Sequence, residues 1–246
     1  MKKYSFIALL FFSWPLMAQI QDAVYRNNVQ TVQLHPYGNQ LAYPVIRLGS
    51  NDRLELHFDD LDGNVKNYYY TFQLCNADWT PSLLGPFDYI SGFTQQRITT
   101  YRTSSVAFTR YTHYQATLPD RNCAPSRSGN YILKVYLNGD TSQLVFTRRM
   151  LVLDERASIA AQIQQPFTGG IFRTHQKVQF RVNLPEQLNV VNHMQQIKVV
   201  ILQNFRWDNA ATDLRPSFFS RTRLEYNTET DAVFPAGKEW RWLNLR

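Results

Sequence analysis

Leu54, Leu56 and Phe58 are apolar, and Glu55 and His57 between them are polar. A period of two puts alternate side chains on opposite faces of a strand, one toward a core and one toward solvent. Asp62-Gly63-Asn64 follows as a turn that tolerates positive φ. The return strand runs over 65–75, with Tyr68, Tyr70, Phe72 and Leu74 on one face and Tyr69, Thr71, Gln73 and Cys75 on the other. The three consecutive tyrosines are therefore not a stack. The same reading predicts a short edge-like strand over 44–48, with Pro44 where its missing N–H does least harm. It also predicts strands over 98–108, 111–118, 131–137 and 144–153. About seven strands with frequent turn residues predict an all-β fold, an antiparallel β-sandwich of the immunoglobulin or fibronectin type III kind. Tyr131 opens a late strand just after Gly129-Asn130, and is either a tyrosine-corner residue or a plain core tyrosine.

Asp154-Glu155-Arg156 marks a boundary, giving a first domain over 19–154 and a second β-rich domain over 155–246. In the second, strands are expected over 157–164, 177–184, 196–202 and 220–226. Val178, Phe180, Val182 and Leu184 alternate there with Lys177, Gln179, Arg181 and Asn183. The sequence reaches Trp240-Arg241-Trp242-Leu243-Asn244-Leu245-Arg246 still aromatic and patterned, so the second sandwich is expected to be incomplete. No segment carries a strong helical period, an internal repeat or low complexity.

The first residues change the picture of where the protein works. Met1-Lys2-Lys3 is a charged start, Tyr4 to Met17 is apolar, and Ala18 is a small residue before a cleavage point. This is the pattern of a signal peptide over 1–18. The apolar stretch falls short of the ~20 residues a spanning helix needs. No later stretch is long enough, so an exported chain with no transmembrane span is expected. The formal charge is +7. No basic run supports nucleic acid as a partner, because Arg148-Arg149 is the longest and its two side chains point to opposite faces of a strand. Two cysteines in an exported protein could pair, but Cys75 could equally be a small buried hydrophobe. A 75–123 bridge is not expected to be essential.

Candidate chemistry is sparse. His35, His57, His113, His175 and His193 are far apart, and none has a His or Cys partner two or four residues away to hold a metal. The stretch Phe58 to Gly63 has the outline of a calcium loop, but Phe58 and Tyr69 fall at liganding positions, so it is a turn. Asp59 and Asp60 face oppositely and form no acid pair. There is no G-x-S-x-G and no phosphate loop. No enzyme, cofactor or metal site is therefore expected. What remains is the long connection over 76–97. Connections beyond ~12–15 residues are uncommon in compact domains and often functional. This one carries Trp79, Phe87, Tyr89 and Phe93, bent by Pro81, Gly85, Pro86 and Gly92. Asp78 is expected to set its first turn so that Trp79 packs inward. Phe87, Tyr89 and Phe93 are candidates for contact with a partner if they face out.

A set of motifs in this order resembles one family. Tyr68 to Cys75 with Asn76-Ala77-Asp78-Trp79 and Pro81-Ser82 is similar to the signature of the type IX secretion system plug proteins of the Bacteroidota. So are Phe58-Asp59-Asp60-Leu61, Tyr89-Ile90-Ser91-Gly92-Phe93, Tyr111-Thr112-His113-Tyr114, Ser128-Gly129-Asn130-Tyr131 and Thr147-Arg148-Arg149. Members carry a polar residue where Leu74 stands, and run on past the point matching Arg246. The resemblance implies a periplasmic, non-enzymatic protein bound to the outer membrane through the giant translocon barrel of that system, whose periplasmic mouth it occludes. Asp78, Trp79, Phe87, Tyr89 and Phe93 are the expected partner-binding residues. A carbohydrate-binding outer-membrane accessory module, its rings stacked on sugars, is the alternative; a hydrolase is a third.

Overall fold

A computed structural model describes residues 22–237. The expected signal peptide over 1–18 and the aromatic pattern over 240–246 lie outside the described residues. The chain runs through β1 (Val29–Pro36), β2 (Val45–Arg47), β3 (Leu54–Asp60), β4 (Tyr68–Cys75), a single helical turn α1 (Pro86–Tyr89), β5 (Ile90–Gly92), β6 (Gln96–Arg97), β7 (Thr100–Thr103), β8 (Thr112–Leu118), β9 (Cys123–Pro125), β10 (Gly129–Leu137) and β11 (Leu144–Leu153). Two sheets face each other, ordered β1-β3-β8-β7 and β2-β11-β10-β4-β6. Their neighbours pair antiparallel, except that β2 runs parallel to β11. This is the strand order of an immunoglobulin-type sandwich, with the start of the chain shared between both sheets.

The alternation read from the sequence sets the core. Leu54, Leu56 and Phe58 of β3 point inward against Tyr68, Tyr70 and Phe72 of β4. Phe58 stacks on Tyr114 at 5.1 Å and meets Tyr68 and Phe146 edge-on. Each such ring contributes about 1.5–3 kcal/mol by leaving water. Buried phenols need partners, and Tyr68, Tyr114, Tyr131 and Tyr136 find them, whereas the Tyr70 hydroxyl is buried without one. The Tyr131 hydroxyl donates to the Arg127 carbonyl at 2.9 Å, four residues upstream at the start of β10, which is tyrosine-corner geometry.

Asp60, the last residue of β3, is fully buried. Its carboxylate accepts from the Tyr68 hydroxyl at 2.8 Å, Asn28 Nδ2 at 2.6 Å and the Asp62 N–H at 3.1 Å, and it faces Lys66 Nζ at 2.8 Å. Burial opposes its ionisation, and these donors outweigh burial, holding the carboxyl below its ordinary range. A depressed folded pKa stabilises above the unfolded value of about 4, and that stability drains away as pH falls through the folded pKa. The expected result is a urea midpoint that falls on acidification below about pH 4. Asp60→Asn should lower the midpoint at pH 7 and flatten this acid limb. An unchanged acid slope in the variant would assign the acid sensitivity to other groups.

The two cysteines are free. Cys123 belongs to the core cluster between the sheets, whereas Cys75 packs with Trp79 and Ile132 on the outer side of the β4-β10 sheet. A sheet thus separates them. Burial pushes their thiols up, Cys75 to about 11 and Cys123 to about 12.

Residues 158–235 build a separate five-stranded sheet from β12 (Ser158–Gln164), β13 (His175–Asn183), β14 (Phe218–Phe219), β15 (Arg223–Tyr226) and β16 (Val233–Pro235). The order is β12-β13-β15-β14, with β16 also on β13. Phe180, Val182, Leu184, Leu224 and Tyr226 form its core. Ile197, Val199, Ile201 and Leu214, from the irregular chain between β13 and β14, pack against it.

The structure adds β1, β5, β6, β9, β14 and β16 to the expected strands and departs from expectation elsewhere too. Of the strand expected over 98–108 only β7 forms, and β6 just before it lies on the other sheet. β6 pairs with β4, the chain crosses at Ile98, and β7 pairs with β8. Beyond Thr103 the chain leaves the sheet, and Val106 and Phe108 are exposed. The strand expected over 196–202 is absent. A helical turn, α2 (His193–Gln196), forms where Asn192 Oδ1 accepts the Gln195 N–H, and the apolar alternation beyond it buries side chains with only one bridge, Ile201 to Ala211. Lys177, on the polar face by alternation, is buried, where it bonds Glu229 and Asn227 and lies over the Phe167 ring.

Candidate interaction surface

The 76–97 connection leaves β4 through a tight turn. The Asn76 N–H donates to the Thr80 carbonyl at 2.8 Å, and the Trp79 N–H donates to the Asn76 carbonyl at 3.0 Å. Asp78 Oδ1 accepts both the Thr80 N–H at 3.0 Å and the Thr80 hydroxyl at 2.6 Å. Those two bonds hold the Asp78 carboxyl below its ordinary range. Trp79 takes φ +66 and turns its indole inward, to 4% exposure.

The indole is not simply core. Trp207, from the chain beyond β13, meets it edge-on at 4.9 Å. The Arg149 guanidinium lies over both rings, 4.9 Å from Trp79 and 4.6 Å from Trp207. Arg149 is fixed from behind by Asp22, which accepts its backbone N–H at 2.8 Å and its side chain at 2.9 Å. Trp207 Nε1–H donates to the Tyr43 hydroxyl at 2.9 Å. Burial pushes that phenol up to about 12, so it stays neutral. Two indoles around one cation therefore clamp the β12–β16 unit to the outer face of the first sandwich. A cleft of about 1050 Å³ opens beside the clamp, lined in part by Asp78, Trp79, Arg149, Met194, Trp207 and Tyr226.

Farther along, the loop is anchored again. Gly85 N–H donates to Asp88 Oδ2 at 2.9 Å and starts α1 after Gly85, with Pro86 at its first position. Arg127 Nε donates to the Asp88 carbonyl at 2.8 Å, and the Ser126 N–H to the Tyr89 carbonyl at 2.9 Å. β5 then pairs with β9. These bonds turn Tyr89 into the core, where it is 4% exposed and meets Tyr131 edge-on. Tyr89 is thus removed from the outward candidates, because the pairing that follows it fixes its direction. Phe87 and Phe93 face out, 84% and 67% exposed, and Leu83 is fully exposed beside them. Asp78 is exposed, and its carboxylate is spent on its own turn. The structure therefore sorts the five expected residues into two anchors, Trp79 and Tyr89, one turn-former, Asp78, and two outward rings.

Sequence reasoning missed Arg149, Trp207 and Tyr43. It did separate Arg148 from Arg149 by strand face, and Arg149 is the one on the outer face. The signal it lacked was a ring to receive the cation, since Trp79 and Trp207 come from distant parts of the chain.

A solved protein has the same architecture. The crystal structure at 2.30 Å of a hypothetical protein from Parabacteroides merdae ATCC 43184 is similar over 90% of this chain, with 31% identity and a TM-score of 0.83. The chain spans 55% of that protein's length. No curated protein matches the chain significantly. No helix among the described residues is long and apolar enough to cross a membrane. Residues 29–154 match the family described as type 9 secretion system plug protein 1st domain, more than half of the chain, and the motifs at Trp79, Tyr89, Tyr131 and Arg149 fall inside that match; the protein belongs to this family.

Proposed function

We propose that the protein is a non-enzymatic periplasmic plug, exported by its signal peptide. It binds the periplasmic end of the outer-membrane translocon barrel of the type IX system and occludes it. The supporting observation is a loop that is anchored at Trp79 and Tyr89 yet holds Leu83, Phe87 and Phe93 in water. Ordered rings on a rigid support lose little entropy on binding, which favours them at interface centres. A wide barrel needs a stiff cover, and the sandwich supplies one. In this reading 19–154 is the stopper domain and 155–246 a second domain that the Trp79–Arg149–Trp207 clamp holds at a set angle.

The test is Phe87→Glu with Phe93→Glu, in protein shown by circular dichroism to remain folded. Both side chains are exposed, so stability should move by less than about 1 kcal/mol. Recovery of the barrel from detergent-solubilised envelope should fall at least tenfold, and the outer membrane should become permeable to large antibiotics. Full recovery with an intact barrier would move the contact off this loop. Binding of the wild-type protein to a glycan array, lost in the same variant, would replace the plug reading by the carbohydrate one.

A further inference from the structure

On the outer face of the β1-β3-β8 sheet three histidines come together. β1 pairs with β3 so that His35 lies opposite Glu55, and β3 pairs with β8 so that Asp59 lies opposite His113. His57 sits between, its ring centroid 5.6 Å from that of His35 and 5.4 Å from that of His113. One ring nitrogen of His35, one of His57 and one carboxylate oxygen of Glu55 lie within 4.8 Å of one another.

The hydrogen bonds fix which nitrogens carry protons. His113 Nδ1 is 2.7 Å from Asp59 Oδ1, and a carboxylate accepts, so Nδ1 donates and the lone pair of the neutral ring is on Nε2. His57 Nδ1 is 3.2 Å from that Nε2 and must donate in turn, which leaves the His57 lone pair on its own Nε2. His35 Nδ1 is 3.0 Å from the Pro36 carbonyl, which can only accept, so the His35 lone pair is also on Nε2. That atom is buried with no hydrogen-bond partner in the protein, in a side chain 3% exposed. His35 and His57 thus each bring a ring nitrogen, and Glu55 a carboxylate oxygen, to one place, with Glu55 Oε2 3.9 Å from His35 Nδ1. A buried acceptor without a donor is costly. His35, with a carbonyl on Nδ1 and a buried free lone pair on Nε2, has the arrangement of a metal-ligating histidine.

We infer that this face holds a divalent transition-metal ion of the zinc type, with His35, His57 and Glu55 as protein ligands and the His113–Asp59 pair orienting His57. Three N and O ligands with an open fourth position suit zinc, whose bonds to nitrogen and oxygen are about 2.0–2.2 Å; binding would draw the ligand atoms together from their present spacing. The ion would tie β1 to β3 from outside, as Asp60 does from within.

The test titrates zinc chloride into the full chain at pH 7.5 against a chromophoric chelator. One zinc per chain should bind with Kd below about 10 μM and raise Tm. His57→Ala and, separately, Glu55→Gln should each weaken binding at least tenfold and abolish the Tm rise, with unchanged circular dichroism without zinc. Both residues are half-buried on an outer face, so neither variant should unfold. Asp59→Asn should weaken binding about tenfold without touching the ion. No binding below about 100 μM, or tight binding that survives both ligand variants, would overturn the assignment. So would zinc-indifferent protonation of His57 observed by NMR, which would make the cluster a proton acceptor.

Discussion

Gly92→Ala should destabilise the first sandwich by on the order of 3 kcal/mol or more, through two separate penalties. Gly92 sits at φ +87, where a side chain strains the backbone. A Cβ there would also stand 2.3 Å from the Asn122 carbonyl oxygen and 2.8 Å from its carbon, both backbone atoms that cannot rotate away. Relief requires parting β5 from β9, and that pairing is what turns Tyr89 inward. Gly38→Ala provides the control. Gly38 has φ +73 with nothing within 4 Å of the added carbon, so it should cost only about 1 kcal/mol, the conformational part. Urea unfolding of the three proteins measures both. A Gly92 variant no worse than the Gly38 variant would mean that the β5–β9 hairpin yields freely, and that the loop is not rigidly held.

Trp207→Ala should release the two units from each other. It removes one indole from the Arg149 cation, the edge-on contact to Trp79 and the bond to Tyr43 together. Large-to-small changes of this kind cost about 3–5 kcal/mol when the ring is well packed. Here the loss falls on docking, because Trp207 lies outside the core of either sheet. Protease cleavage between β11 and β12 should accelerate at least tenfold, while the urea midpoint reported by the first sandwich moves little. Arg149→Lys should give a weaker version of the same result, since an ammonium lacks the flat face that lies between two indoles. Cleavage at the wild-type rate in Trp207→Ala would show that other contacts hold the units together.

The sandwich was legible because β3 and β8 alternate strictly and β4 and β10 each carry an unbroken inward row, Tyr68-Tyr70-Phe72-Leu74 and Tyr131-Leu133-Val135-Leu137. The sheet change at Ile98 was not, because alternation reports which face is buried and not which neighbour is paired. The loop was recognisable as ordered from its rings and prolines. Their directions were not, because Trp79, Phe87, Tyr89 and Phe93 follow no period; Tyr89 faces in only because β5 pairs with β9 after it. The histidine cluster was hidden for a further reason. Metal-ligand spacing along the chain finds sites on one element, whereas His35, His57 and His113 meet across three strands. Their meeting also depends on the irregularity between Gln30 and Gln33 in β1, where a one-residue shift exchanges the faces of everything beyond it. Arg149 likewise could be assigned a face but not a partner.

The two separated thiols make the protein its own recorder of motion. Cys123 can meet a reagent only when the two sheets part, and Cys75 only when the Trp79 cover lifts from the outer face. Both also react slowly while folded, since burial keeps them protonated. Pulse alkylation followed by mass spectrometry therefore reads two different openings from one untouched chain. Modification at Cys75 ahead of Cys123 would time the release of the clamp, and simultaneous modification would time global unfolding. A partner gripping the clamped form would slow the first event without needing to touch either sulfur.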